Sequence, residues 1–194
     1  MATGSLPDLR ITSRRFFELV GEGLLGSEDR VELLEGVVVA MPPSGPVHAS
    51  VVHRIQYLLH DRLRGRATVR SQSSLVAGGR SVPEPDVAVL PGAADDWERR
   101  HPSSALLVVE VAESSLAQDR LTKSRIYARA GIAEYWIVDL RNDSVEVQRS
   151  PDPELAVYAE RSRLRRGERI SPLAFPDLLL DVDDLLPREP LASS

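Results

Sequence analysis

The chain has 194 residues, a formal net charge of −5, 42% hydrophobic and 27% charged residues, and no cysteine. These values suit one domain with a sizeable core, remove disulfides and thiolate metal sites, and argue against coating nucleic acid by bulk electrostatics. No apolar run approaches the ~20 residues of a membrane helix, and the first ten residues lack the basic-then-apolar order of a secretory signal; the expected setting is cytoplasmic, with no membrane partner.

In chain order, Thr12 or Ser13 caps a first helix reaching about Leu25, with Phe16, Phe17, Val20 and Leu24 on its apolar side. Residues 30–41 read as a hairpin turning at Glu35-Gly36. The stretch "PPSGP" (42–46) breaks the chain, and Pro46 opens a helix to about Leu63 that carries Val51, Val52, Ile55, Leu58 and Leu59. Residues 67–76 alternate loosely before the turn signal Gly78-Gly79-Arg80. Strands at 85–90 and 105–112 follow, separated by a polar loop. A helix then runs from Ser115, spaced with Gln118 as a capping box, to a stop at Gly131. Residues 134–140 and 145–149 form a second hairpin, and the tail holds short strands and a proline-rich end. The pattern is α+β, a mixed sheet with helices in a single domain over 1–194.

Three motifs lose to their context. "GEGLLG" (21–26) follows a helix instead of a strand, so it reads as a helix-ending turn and not a dinucleotide loop. His48 and His53 are five apart, which on a helix turns them about 140° from each other and spoils a zinc pair. Ser50, Ser73 and Ser74 lack the strand–turn–helix context of a nucleophile elbow.

The acids are more informative. If strands 85–90 and 105–112 pair antiparallel, Asp86 at the start of one meets Glu110 near the end of the other. Two ionised carboxylates so placed repel, and the apolar runs around them offer little solvation. A divalent cation with hard oxygen ligands relieves both problems. Asp86 alone serves equally well as a turn-starting acid, whereas Glu110 interrupts "ALLVVEVA" and calls for a partner. On a helical wheel Lys123 shares a face with Leu116, Ile126, Tyr127 and Ala130, the face expected to pack on the sheet, with Asp119 one turn earlier. An ordinary Asp119–Lys123 helix pair explains that spacing equally well. Glu35 continues the strand row of Val31 and Leu33, and a plain hairpin-end glutamate is the competing reading.

The strings "VELLEGVVVAMPPSGPVH", "PEPDVAVL", "LLVVEVAESS" and "DRLTKSRIYARAGIAEYWIVD" occur in this order. Together they closely resemble the Uma-two family of restriction-endonuclease-like proteins over roughly residues 10–187, with "EVAESS…DR..K…Y…G..EYW.VD" the most specific piece. The resemblance implies a restriction endonuclease-like, α/β/α-like core of the PD-(D/E)xK nuclease superfamily, with an N-terminal helix and hairpin added. It implies a metal-dependent endonuclease acting on DNA, with Asp86 as the "PD" acid and Glu110 as the second acid. Asp86, Glu110 and the Val111 backbone carbonyl would hold Mg²⁺ or Mn²⁺. The superfamily's lysine usually stands two residues after the glutamate, where this chain has Ala112; Lys123 on the following helix matches the relocated lysine. Glu35 matches the acid of the family's N-terminal hairpin and would be a further metal or water ligand. The resemblance allows a homodimer. Ala112 and the negative charge support an alternative, a catalytically inactive nucleic-acid or protein interaction module on the same fold, and a structural scaffold is the third option. Arginines at 62–70 and 161–169 are the expected phosphate contacts.

Overall fold

Runs of Val, Leu and Ile separated by turn signals fold into the strands of one central sheet, and the helical patterns fold onto its two faces. The computed structural model describes residues 10–25, 30–41 and 43–191. Its elements are α1 (Ser13–Gly21), β1 (Val31–Leu34), β2 (Val37–Ala40), α2 (Pro46–Arg62), β3 (Thr68–Ser71), β4 (Val87–Leu90) and β5 (Leu107–Ala112). There follow α3 (Leu116–Gln118), a π-helical turn (Asp119–Lys123) continuing into α4 (Ser124–Arg129), then β6 (Glu134–Asp139), β7 (Ser144–Asp152) and β8 (Val157–Arg165). Two short strands, β9 (Arg169–Ile170) and β10 (Leu180–Asp181), and a last helix, α5 (Val182–Leu185), complete the order.

Strands β3 to β8 form the six-stranded sheet in sequence order. All its pairs are antiparallel except β5–β6, which is parallel and is joined by the α3–α4 crossover. Side chains alternate between two cores. Val87, Val89, Val109 and Val111 face α2, where Val51, Ile55 and Leu59 pack, and α5. Ala88, Leu90, Val108 and Ala112 face α4, with Ile126 and Tyr127, across Tyr135 and Ile137. The fold is therefore α+β, a mixed sheet with helices on both faces, as the sequence pattern suggests. Among the described residues no helix is long and apolar enough to cross a membrane.

The β4–β5 pairing is the step that positions the acids. Val87 lies opposite Val109 and Ala88 opposite Val108, so one further step of the same register sets Asp86 opposite Glu110. The β1–β2 hairpin turns at Glu35 (φ 50°) and Gly36 (φ 87°), two left-handed residues as a type I′ turn requires. Gly36 is also fixed by space: a Cβ there would stand 2.5 Å from the Arg10 Cβ. The hairpin docks through Leu33, which exchanges backbone hydrogen bonds with Val82.

Two local expectations change. Helix α1 stops at Gly21, because Gly23 enters the left-handed region and the amides of Gly23 and Leu24 fold back onto Val20 and Leu19; Leu24, past the helix end, is exposed, and so is Val20 within it. The last residue of the glycine motif, at 26, and residues 27–29 after it lie outside the described residues. Ser115 forms no capping box, because its hydroxyl donates to Asp119 Oδ2 at 2.6 Å and the helix begins without a side-chain cap.

Candidate active site

The pocket is built where β4 and β5 stop pairing. Beyond Val87 the β4 chain peels away, which frees the edge of β5, and the Asp86 carboxylate fills that gap: its Oδ2 accepts the Val111 amide at 2.8 Å. The Asp86 amide in turn points at Glu110 Oε2, 3.4 Å away. Lys123 Nζ donates to Glu110 Oε1 at 2.9 Å and lies 3.3 Å from Glu32 Oε2. The Tyr127 hydroxyl donates to the same Glu110 oxygen at 2.7 Å. Glu32, Asp86, Glu110, Asp119 and Lys123 are all at most 8% exposed.

The π-helical turn explains how Lys123 and Asp119 both point inward. The Ser124 amide bonds Asp119 O, five residues back, and the wider turn holds both residues on the buried side. Tyr135 supports the bulge by donating its hydroxyl to the same Asp119 carbonyl at 3.2 Å. The cavity these groups surround is small, ≈ 70 Å³, and Arg30, Ser44, His48, Glu84 and Gln118 also line it.

Charge is unbalanced there. Burial pushes the Glu110 carboxyl up to about 8 against the pull of Lys123, with Asp86, Asp119 and Glu32 adding to the rise. Burial likewise lifts Asp119 to about 6, against Lys123 and the Ser115 hydroxyl, and it raises Glu84. For Lys123 burial opposes the charge, but Glu110, Glu32 and Asp119 outweigh it and hold the ammonium firmly protonated. Lys123, with the exposed Arg30 also lining the cavity, thus faces Glu32, Glu84, Asp86, Glu110 and Asp119.

Asp86, Glu110 and Lys123 come together in this pocket; Glu35 does not. It occupies the hairpin turn at positive φ, which ends the strand row it was expected to continue. Its carboxylate is clamped by Arg125 at 2.6 Å and Arg129 at 3.1 Å. The hairpin residue that reaches Lys123 is Glu32, on the opposite strand face. Glu32 also accepts the Glu84 amide at 3.3 Å and lies 3.5 Å from Gln118 Nε2. Sequence reasoning missed it because a register of one decides which acid faces the sheet. The signal was there: Glu32 stands between Val31 and Leu33 in the strand, whereas Glu35-Gly36 is turn chemistry.

His48 was set aside as half of a poor zinc pair, yet it belongs to the pocket. Its Nε2 stands 3.2 Å from Asp86 Oδ2, and its Nδ1 is buried without a protein partner. The Asp86 carboxylate raises its pKa, burial opposing, with Glu113 and the Val111 carbonyl adding to the rise. The position that reveals it is the first turn of α2, which abuts the open edge of β5. Of the arginines expected at phosphates, Arg64, Arg66, Arg163, Arg166 and Arg169 are paired with Asp61, Asp177, Glu146, Asp143 and Asp181.

A family model described as "Uma2: Putative restriction endonuclease" matches residues 15–183. The chain belongs to the Uma2 family. A solved structure described as "a putative nuclease belonging to DUF820 from Anabaena variabilis ATCC 29413" shares its fold, with a TM-score of 0.73 at 18% identity over 90% of this chain and 97% of that one. No functionally curated protein matches the chain. The Uma2 match spans the hairpin, both acid-bearing strands and the crossover helix, so every pocket residue named above falls within it.

Proposed function

We propose that this Uma2 chain is a metal-dependent endonuclease that hydrolyses phosphodiester bonds, with DNA as its substrate. The observation that carries the reading is the buried convergence of Asp86, Glu110 and Lys123 at the open edge of β5. Membership of a family described as restriction endonucleases supports the reaction class, and the fold is compatible with it.

The donor set fits a hard divalent cation. Among the described residues no three acidic or imidazole side chains stand as a ready coordination set. Two carboxylates and one carbonyl, completed by water, are what Mg²⁺ ordinarily takes from a protein. Asp86 and Glu110, with the Val111 carbonyl on the strand edge, would supply those oxygens. The surplus of buried acid over Lys123 gives the positive charge a place to act. When bound, Mg²⁺ or Mn²⁺ would lower the pKa of water and polarise the scissile phosphate.

The chain's own groups perform the rest. Tyr127 and Lys123 both hold Glu110 Oε1, which fixes the carboxylate and leaves Oε2 facing Asp86. Lys123, kept protonated by its ring of acids, presents an ammonium that can orient the attacking water or meet charge developing on the phosphoryl oxygens. Glu32 holds that ammonium from the other side, so it is Glu32, and not Glu35, that the hairpin brings to this group. Ala112, where a lysine stands in the usual pattern, is buried, and the crossover helix supplies the cation in its place.

The test is a cleavage assay on single-stranded, double-stranded and branched DNA and on RNA, with Mg²⁺ or Mn²⁺, comparing the intact protein with Asp86→Asn. Cleavage of DNA that the variant loses supports the reading. Absence of cleavage on every substrate, with metal binding also absent, favours a non-catalytic module on the same fold.

A further inference from the structure

The first turns of α2 separate two hollows. On one side is the acid–lysine pocket, reached by Ser44 and His48. On the other is a much larger cleft of ≈ 620 Å³, lined by Pro46, Val47, Ser50, Val51, Arg54 and the segment Pro187–Glu189. Its walls are largely apolar, but two arginines open into it. Arg54 is half-buried, and its Nε is shielded from solvent without a protein partner. Among the described residues neither Arg54 nor Arg188 forms an ion pair with a carboxylate, unlike most arginines of the two sequence clusters.

The two guanidiniums are held near each other by the fold. Arg166 grips the Pro187 carbonyl with Nη2 while pairing with Asp143, so the backbone just before Arg188 is anchored. Burial lowers the Arg54 pKa, with Arg188 and Arg166 acting the same way and Asp184 opposing. Glu189 also lines the cleft and Asp184 acts on Arg54 from nearby, but neither acid forms an ion pair with the two guanidiniums. A buried guanidinium Nε without an acceptor is an unmet donor. Like charges brought together beside apolar walls call for an anion that carries its own apolar surface. A nucleotide unit has both parts: a phosphate for the guanidiniums and a sugar-base body for Pro46, Val47, Val51 and Pro187.

We propose that the cleft between α2 and Pro187–Glu189 is a second nucleic-acid subsite, in which Arg54 and Arg188 bind a backbone phosphate flanking the one presented to the acid–lysine pocket. It rests on the nuclease reading for the position of the scissile group, but the binding itself does not require catalysis. His48 and Arg54 stand on one helix, six residues and about 9 Å apart along its axis and about 120° apart around it, so a strand bound at the pocket would cross the first turns of α2 to reach the cleft.

Binding of a fluorescein-labelled 20-nucleotide DNA, single- and double-stranded, is measured by anisotropy across salt concentrations in the Asp86→Asn background, where cleavage is blocked. Arg54→Gln and Arg188→Gln are each expected to weaken binding by about 3- to 10-fold and to reduce the slope of log affinity against log salt by about one. The double variant should lose about 10- to 100-fold, while Arg64→Gln, whose guanidinium is occupied by Asp61, should change binding less than about twofold. Arg188 is exposed, so Arg188→Glu, checked for an unchanged thermal melt, guards against misfolding of the Arg54 variant. A double variant that binds within twofold of its parent with the same salt slope overturns the subsite, as does a parent that binds neither DNA at low salt. Loss of binding in the double variant, alongside an intact protein that cleaves nothing, keeps the subsite and removes the nuclease reading. Cleavage with unaltered binding does the reverse.

Discussion

Glu110 and Glu35 each meet a cation at hydrogen-bonding distance, 2.9 Å to Lys123 and 2.6 Å to Arg125, and the two pairs behave oppositely. At the hairpin turn Glu35 is partly exposed, and its hydrogen bond to Arg125 lowers its pKa, burial opposing. In the pocket burial wins over Lys123 and raises Glu110. A carboxylate–cation pair is a clip in one place and an unsettled charge in the other, because the first pair is partly exposed and the second is buried. The unsettled charge is the one that the proposed metal and phosphate would use.

The largest expected effect tests the pocket side of this contrast. Asp86→Asn or Glu110→Gln should reduce metal-dependent DNA cleavage by about 10³-fold or more, and Lys123→Ala by about 10²- to 10³-fold, whereas Glu35→Gln should leave the rate within about threefold. Single-turnover rates decide it, and a Glu35 variant as damaged as the Glu110 variant would erase the distinction. Next comes stability. Lys123→Ala strands Glu110 and Glu32 without their cation and should cost about 3–5 kcal/mol in urea unfolding of the metal-free protein.

The pH dependence of Asp119 is a finer probe. Its folded carboxyl titrates at about 6 against an ordinary 3.8, so the folded state holds a proton that the unfolded chain has released across that interval. Stability from this group is present below pH 3.8 and is lost as pH rises through 6. Asp119→Asn, which keeps an acceptor for Ser115, should therefore gain on the parent between pH 4 and 6 and hold an advantage on the order of 2–3 kcal/mol above it. Paired denaturation curves at pH 4.5, 6 and 8 check this; a constant offset across the series would mean that the carboxyl is not neutral in the fold. The smallest effect is at the clip. Arg129→Gln should change stability by less than about 1 kcal/mol, and the change should shrink further in high salt.

Much of this arrangement was legible from residues alone. Two apolar runs each carrying one acid implied a strand pair with Asp86 near Glu110, and the observed register continues to that juxtaposition. The wheel placing Lys123 with Tyr127 and Ile126 identified the inward face of the crossover helix, although the π-helical turn was not visible in the spacing. Glu32 and His48 were not legible as partners of these groups. Whether Glu32 or Glu35 faces the sheet depends on where the hairpin turns and how it docks through Leu33 on Val82, a contact 49 residues apart in sequence. His48 is isolated in its own segment and gains meaning only when the first turn of α2 meets the open edge of β5.

Local chemistry decided which segments alternate, where chains turn, and which acids sit in apolar company, since periodicity and turn preferences act between near neighbours. Only the tertiary structure decided how far water is excluded from each acid, which cation reaches it, and that Arg54 and Arg188 share a cleft while most other cluster arginines are already paired. Burial and long-range charge belong to the packed shape, and residues distant in the chain create it.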